Sequence, residues 1–390
     1  MLYVLFDEES TWKSLLPLTF TRPVSELRVG IMTIREKWDA YLGTKCQYYT
    51  AEYLATKYVN PDPETEAILI NSCLCPTQGL AEQIKTLKAG EAITAAGIII
   101  ALRGSINTLK AAFPLHKINY EGPVLCIKNV WDLFQKNADA INADFELLTK
   151  GRKSAELSST VTVIGDRKNI FLEAGAKAEA CFINATTGPV YLGADSEIME
   201  GSMIRGPFAL GEHSVIKMGA KIYGATTVGP YSKVGGEVSN SVITGYSNKT
   251  HDGFLGNSVI GEWCNLGADT NSSNLKNNYA SVKLYNYLHQ KTIDTGLQFC
   301  GLIMGDHSKS GINTMFNTGT VVGIACNIYG GGFPETHIPS FSWGGSDGFI
   351  THKPFKFFET VERVYERRNM KFVQADKDVL VSVFAITNGG

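Results

Sequence analysis

The chain lacks an excess of charge of either sign: 36 Lys and Arg stand against 38 Asp and Glu in 390 residues, a formal charge of -2. A protein that grips nucleic acid through its phosphates needs a basic surplus, so a dedicated nucleic-acid role is excluded. Long hydrophobic runs are also missing. The longest, Ala95 to Leu102, falls far short of the roughly 20 residues a membrane helix requires, and no membrane partner is expected. The first residues, Met1 to Asp7, carry no basic segment and no cleavage site, so no signal peptide is expected and the cytoplasm is the expected location. Paired cysteines are scarce. Of eight, only Cys73 and Cys75 lie close together, and a C-x-C alone makes neither a zinc site nor a disulfide framework. The histidines His213, His251, His289, His307 and His337 show no short pair at metal-ligand spacing, which argues against a zinc enzyme.

What the chain does have is glycine, 39 of them, and a repeat. Leu192, Ile198, Ile204, Leu210, Ile216, Ile222, Val228 and Val234 stand six apart without interruption. Two positions before most of them the residue is small: Ser196, Ser202, Ser214, Ala220, Thr226, Ser232. A strand has period two and a helix 3.6, so a strict six predicts neither alone. It predicts a β-solenoid in which each hexapeptide is one short strand and one corner, the aliphatic residue pointing inward and stacking on its equivalent a coil away. Three hexapeptides close one triangular coil. The register returns at Met304, Phe316, Val322 and Ile328, with Ser310 in one slot. Between the blocks the slots at Asn240 and Lys249 are polar, and about 269–299 has no period and reads as a loop thrown out of the solenoid. A polar residue in an apolar slot is costly unless satisfied, and marks either a local bulge or a site facing a groove.

The first 150 residues differ. Apolar runs at Leu2–Phe6, Ala67–Ile70 and Ile98–Ile100 alternate with helical stretches at Ile31–Leu42, Gly79–Leu87 and Val130–Ala138, predicting an α/β domain with a mostly parallel sheet. The tail from about Lys353 reads as helix, with a second helix from Gln374 to Phe384. The expected domains are 1–150, 151–350 and a helical tail 351–390.

The run His251-Asp252-Gly253-Phe254-Leu255-Gly256-Asn257-Ser258, continued by Val259-Ile260-Gly261-Glu262-Trp263-Cys264-Asn265-Leu266-Gly267-Ala268, resembles the acetyltransferase segment of the bifunctional UDP-N-acetylglucosamine pyrophosphorylase/glucosamine-1-phosphate N-acetyltransferase family. The match is to the family's alternative bacterial form. The resemblance implies a nucleotidyltransferase-like first domain and a left-handed parallel β-helix that acts as a homotrimer, with sugar phosphate and nucleotide as substrates. It implies that His251 is the catalytic base, that Lys217, Glu237, Phe254, Asn265 and Asn274 contact the sugar phosphate, and that Ala268 lines the acetyl-CoA site. Ser239 stands where the family has a phosphate-binding Lys, and Leu275 where it has a Tyr; Lys233, Lys249 and Lys276 are candidates to restore the charge.

Leu15-Leu16-Pro17-Leu18-Thr19-Phe20-Thr21-Arg22-Pro23 resembles the segment that follows the family's glycine-rich nucleotide loop, but the loop itself is absent. Asn71-Ser72 stands where the family has a metal-binding Asp, and an amide lacks the charge Mg²⁺ favours. Lys13, Arg22 and Arg28 are candidate phosphate contacts and Asp7 a candidate Mg²⁺ ligand. Three readings remain: a bifunctional sugar-nucleotide enzyme using acetyl-CoA and UTP or dTTP, an acyltransferase whose first domain only binds, and a non-enzymatic trimeric scaffold.

Overall fold

The computed structural model describes residues 1–110 and 115–389; the last residue of the expected tail lies outside them. Tyr3–Phe6, Gln47–Tyr49 and Ala67–Asn71 form parallel neighbours in a six-stranded sheet. The sheet is mixed rather than uniformly parallel, because Ile98–Gly104 runs antiparallel to both Ala67–Asn71 and Glu91–Ala95. The turn at Ala96 and Gly97, both in the left-handed region, makes that reversal a tight hairpin. The helix expected from Ile31 starts at Ile34, because Thr33 caps it and Glu36 returns the bond to the Thr33 N–H. Trp38 on this helix is fully buried and donates its indole N–H to the Leu74 carbonyl.

From Thr162 the chain winds into a β-solenoid with three parallel sheets of nine, ten and eight strands, the last strand of the ten-stranded sheet turning back antiparallel. The aliphatic slots face inward and form one continuous core, from Leu192 and Ile198 through to Val322 and Ile328. The small residue two positions earlier has a second use beyond size. Ser214 accepts the Ser232 N–H, Ser232 accepts the Ser247 N–H, and Ser247 accepts the Cys264 N–H. A hydroxyl ladder thus satisfies backbone donors that the corners leave unpaired.

The expected polar slot at Asn240 is corrected by the structure. The chain skips ahead there, so Val238 fills the inward slot beside Ile222, and Asn240 makes a left-handed corner. Lys249 does occupy an inward slot, following Val234. The aperiodic stretch is not a plain loop. It carries an antiparallel hairpin, Lys283–Asn286 against Lys291–Asp294, after which Ile303 pairs directly with Val259.

The two units share a core. The outward side chains Val242, Val259, Ile303 and Val321 of the nine-stranded sheet pack with Leu15, Val24, Trp38 and Phe134 of the first unit. A face that apolar would not stay in water uncovered. Arg22 of the first unit reaches Glu262 and Asp306 in the solenoid. Finally the helices Pro354–Glu366 and Gln374–Asn388 lay Phe357, Val361, Tyr365 and Leu380 against Leu16, Phe20 and Leu54 on one side and Trp263 and Phe341 on the other. No helix among the described residues is long and apolar enough to cross a membrane.

Candidate functional sites

On the ten-stranded sheet the residue before the inward slot points outward. Lys233, Asn248, Asn265 and Lys309 are successive partners in this outward row, about 4.8 Å from coil to coil. Lys217 stands just past the inward Ile216. Beyond the row, between the faces that carry Asn248 and Phe254, the chain turns through Thr250 and His251. Gly235 and Gly236 in the preceding coil make room for that turn: a Cβ on Gly236, whose φ is +69°, would sit 2.8 Å from the His251 carbonyl oxygen.

The result is a groove of about 650 Å³ that brings together His251, Lys217 and Asn265 with Lys233, Lys309, Arg367 and Arg368. Its far wall is aromatic. His213, Tyr231, Tyr246, Trp263 and His307 occupy one solenoid corner, each with φ between +52° and +61°. Their rings stack, Tyr246 on Trp263 at 4.4 Å, and Tyr365 of the tail stacks on Trp263 at 4.2 Å. Arg368 locks the tail there by donating to the Tyr231 and Tyr246 carbonyls. Burial pushes the Lys309 ammonium below its ordinary range.

Glu237 and Phe254 are brought together elsewhere. They pair on the eight-stranded face, and Glu237 accepts the Tyr223 hydroxyl at 2.6 Å rather than meeting His251. Ser239 lies in the same strand, beside Gly256. Asn274 donates its amide to Asn257 at 2.8 Å. Ala268 follows the Asn265 strand and lines no part of the groove. Of the candidate lysines, Lys233 enters the groove, Lys276 donates to the Ser281 carbonyl within the excursion, and Lys249 points into the coil. Of the groove residues that the motif did not flag, Lys309 and Tyr246 carry a signal in the repeat itself, since each holds a fixed position relative to the inward slot, whereas Arg367 and Arg368 come from the tail and carry none.

The first unit has its own cavity, of about 510 Å³, at the carboxyl ends of Tyr3–Phe6 and Ala67–Asn71, where open α/β sheets bind ligands. Its walls include Glu8, Ser10, Thr11, Ser14, Asn71, Lys128 and Asn129. None of the four charged residues expected there faces it. Lys13 is paired with Glu9 along its own helix. The Arg22 guanidinium is buried between Glu262 and Asp306. Arg28 donates to the Ile31 and Thr244 carbonyls. Asp7 accepts the Val24 N–H and the Thr50 and Ser72 hydroxyls, and desolvation pushes its carboxyl up to about 6. These are structural partners, and Asp7 does not fit a Mg²⁺ ligand. Among the described residues no cluster of three or more His, Cys, Asp or Glu side chains converges. Among the described residues the one carboxylate on the cavity wall is Glu8.

The chain joins an α/β unit, with a cavity at its strand ends, to a hexapeptide-repeat solenoid with a basic groove. Residues 3–153 match the family model for sugar nucleotidyl transferases. Among curated proteins, the chain is 37% identical over 146 residues to a bifunctional sugar-1-phosphate nucleotidylyltransferase/acetyltransferase from Sulfurisphaera tokodaii, which is 37% of this chain and 36% of that one. It is 36% identical over 92 residues to the bifunctional protein GlmU of Methanocaldococcus jannaschii, 24% of this chain and 22% of the relative. The matches therefore span well under half of these relatives' lengths. Among solved structures, the polysialic acid-specific acetyltransferase NeuO aligns with 50% of this chain and 87% of its own, at 13% identity and a TM-score of 0.27.

Proposed function

We propose that the chain is a bifunctional sugar-nucleotide enzyme. The solenoid transfers an acetyl group from acetyl-CoA to the amine of glucosamine-1-phosphate or a related amino sugar phosphate. The first unit transfers a nucleotidyl group from UTP or dTTP to a sugar-1-phosphate. The observation that carries this reading is the convergence of His251, Lys217, Lys233 and Asn265 on one groove.

The chemistry suits those groups. The sugar amine attacks the thioester carbonyl, and the His251 imidazole takes the amine proton. The C–S bond then breaks, and the CoA thiolate leaves and picks up a proton as the amide forms. The Asn265 amide can donate to the tetrahedral oxyanion, where a preorganised donor contributes most. Lys217 and Lys233 supply the positive charge that a sugar phosphate needs. Glu237, Phe254, Asn274 and Ala268 belong to this reading only through a neighbouring subunit or a substrate that bridges the two faces. Exposed Ile164, Phe182 and Met203 on the eight-stranded face favour a homotrimer, which would cover them.

For nucleotidyl transfer, Lys128 and the hydroxyls of Ser10 and Thr11 line the cavity that would receive the triphosphate. Mg²⁺, when bound, would neutralise the phosphates, with Glu8 the carboxylate placed to hold it. The missing glycine loop and the engagement of Asp7 favour a second reading, in which this unit binds a nucleotide without turning it over.

The test is thiol release. The purified protein is incubated with acetyl-CoA and glucosamine-1-phosphate, and free CoA is followed. Turnover is expected and should fall by at least about 100-fold in His251→Ala. Survival of turnover in that variant would remove His251 as the base.

A further inference from the structure

The excursion between the solenoid strands does not stay with the solenoid. Its hairpin carries Val282 and Leu284 into the core of the first unit. Asn286, 3% exposed, donates its amide to the Ser14 hydroxyl at 3.4 Å, and Ser14 in turn donates to Asn129. Ser14 and Asn129 are walls of the first unit's cavity. The Asn286 side-chain oxygen accepts the His289 N–H at 3.1 Å, which fixes the turn that follows the strand. That turn places Leu288 and His289 on the cavity wall as well. His289 is exposed and makes no side-chain hydrogen bond to other described residues. Lys128 is the other cation-forming side chain on the wall.

We propose that His289, a residue of the solenoid, is a ligand-binding residue of the first unit's cavity. Its imidazole donates to a phosphate oxygen of a nucleoside triphosphate, alongside Lys128. The inference rests on reading this cavity as the nucleotide site. It means that the cavity is built by both units, and that the family-type domain of residues 3–153 lacks one of its walls. An imidazole on an anchored turn can do what a glycine loop does elsewhere, presenting an N–H donor to phosphate. Anchoring matters because a donor held in place loses little entropy when the ligand arrives.

The experiment is equilibrium titration of the full-length protein with UTP and with dTTP, each with Mg²⁺, for wild type, His289→Ala, His289→Lys and Lys128→Ala. Thermal melting is recorded for all four. Because His289 is exposed, its variants should melt within about 1 °C of wild type. The expected result is a Kd raised about tenfold by His289→Ala and by Lys128→Ala, with His289→Lys restoring binding to within about threefold of wild type. Unchanged affinity in His289→Ala, beside a loss in Lys128→Ala, would overturn the inference and leave the cavity reading standing. Failure of the wild type to bind either nucleotide would overturn the cavity reading and this inference with it.

Discussion

Replacing Asp306 by Asn should destabilise the folded chain by about 3 kcal/mol, the lower end of the cost of breaking a buried ion pair. The size follows from the setting. The Asp306 side chain is 4% exposed and that of Arg22 6%. Asp306 accepts the Glu262 backbone N–H at 2.8 Å with one oxygen, and the Thr21 hydroxyl and the Arg22 guanidinium with the other. An asparagine keeps one acceptor but withdraws the charge, leaving a guanidinium in the interior. Glu262, whose side chain is 27% exposed, still pairs with Arg22 at 2.8 Å and limits the loss. Urea denaturation followed by tryptophan fluorescence and by circular dichroism is the assay, with ΔG from linear extrapolation. The two signals should coincide, because the units share one core. Replacing both partners together, as Arg22→Met with Asp306→Leu, should cost less than Asp306→Asn alone, because the one charge it leaves unpaired, that of Glu262, is partly exposed to water. A loss below about 1 kcal/mol for Asp306→Asn would mean that water reaches this pair, and would refute the argument.

Lys249→Met should change how stability depends on pH. Burial pushes the Lys249 ammonium from 10.5 down to about 8, with Asp252 and Asp269 opposing. Between those values the unfolded chain binds the extra proton, so wild-type stability rises with pH there, and the full penalty holds below pH 8. The gap between variant and wild type should therefore shift in favour of wild type by up to roughly 3 kcal/mol from pH 8 to 10.5; a flat difference would place the ammonium in water. Tyr365→Ala should loosen the tail, costing about 3 kcal/mol locally. Amide exchange should then speed up across Pro354–Glu366 while the solenoid strands Ile216 and Val234 stay protected; equal protection of the tail would refute the docking role of the stack.

The solenoid was legible because its selection rule is local: one aliphatic residue, one small residue, six apart. The rule also located its own exception at Lys249, whose ammonium donates to the His251 and Asp252 carbonyls from inside the coil. It failed at Asn240 because a shortened coil moves every later residue out of phase, and a fixed period cannot see a skipped corner. His251, Lys217 and Asn265 were legible as groove residues, since motif and repeat agreed on them. Arg22, Arg28 and Asp7 were not. Their partners, Asp306, Thr244 and Thr50, lie 43 to 284 residues away, and nothing in a linear motif separates an arginine that meets phosphate from one that meets a carboxylate. The hairpin of the excursion was hidden for a similar reason. Its apolar residues serve the core of another unit, so they follow no period of their own surroundings.

The aromatic corner has a consequence for how this chain tolerates change in length. Each coil uses a different number of residues between visits to that corner: 231, 246, 263 and 307 are successive stations, and the last step contains the whole excursion. Yet the rings stay stacked. The corner therefore acts as an index mark, resetting the phase of the winding once per turn whatever the intervening perimeter. Insertions and deletions are absorbed within one turn and not passed on to the next. A solenoid indexed in this way can grow a new arm at a single coil and keep every later coil in register. Sequence drift should accordingly be freest along the perimeter and most restricted at the marks.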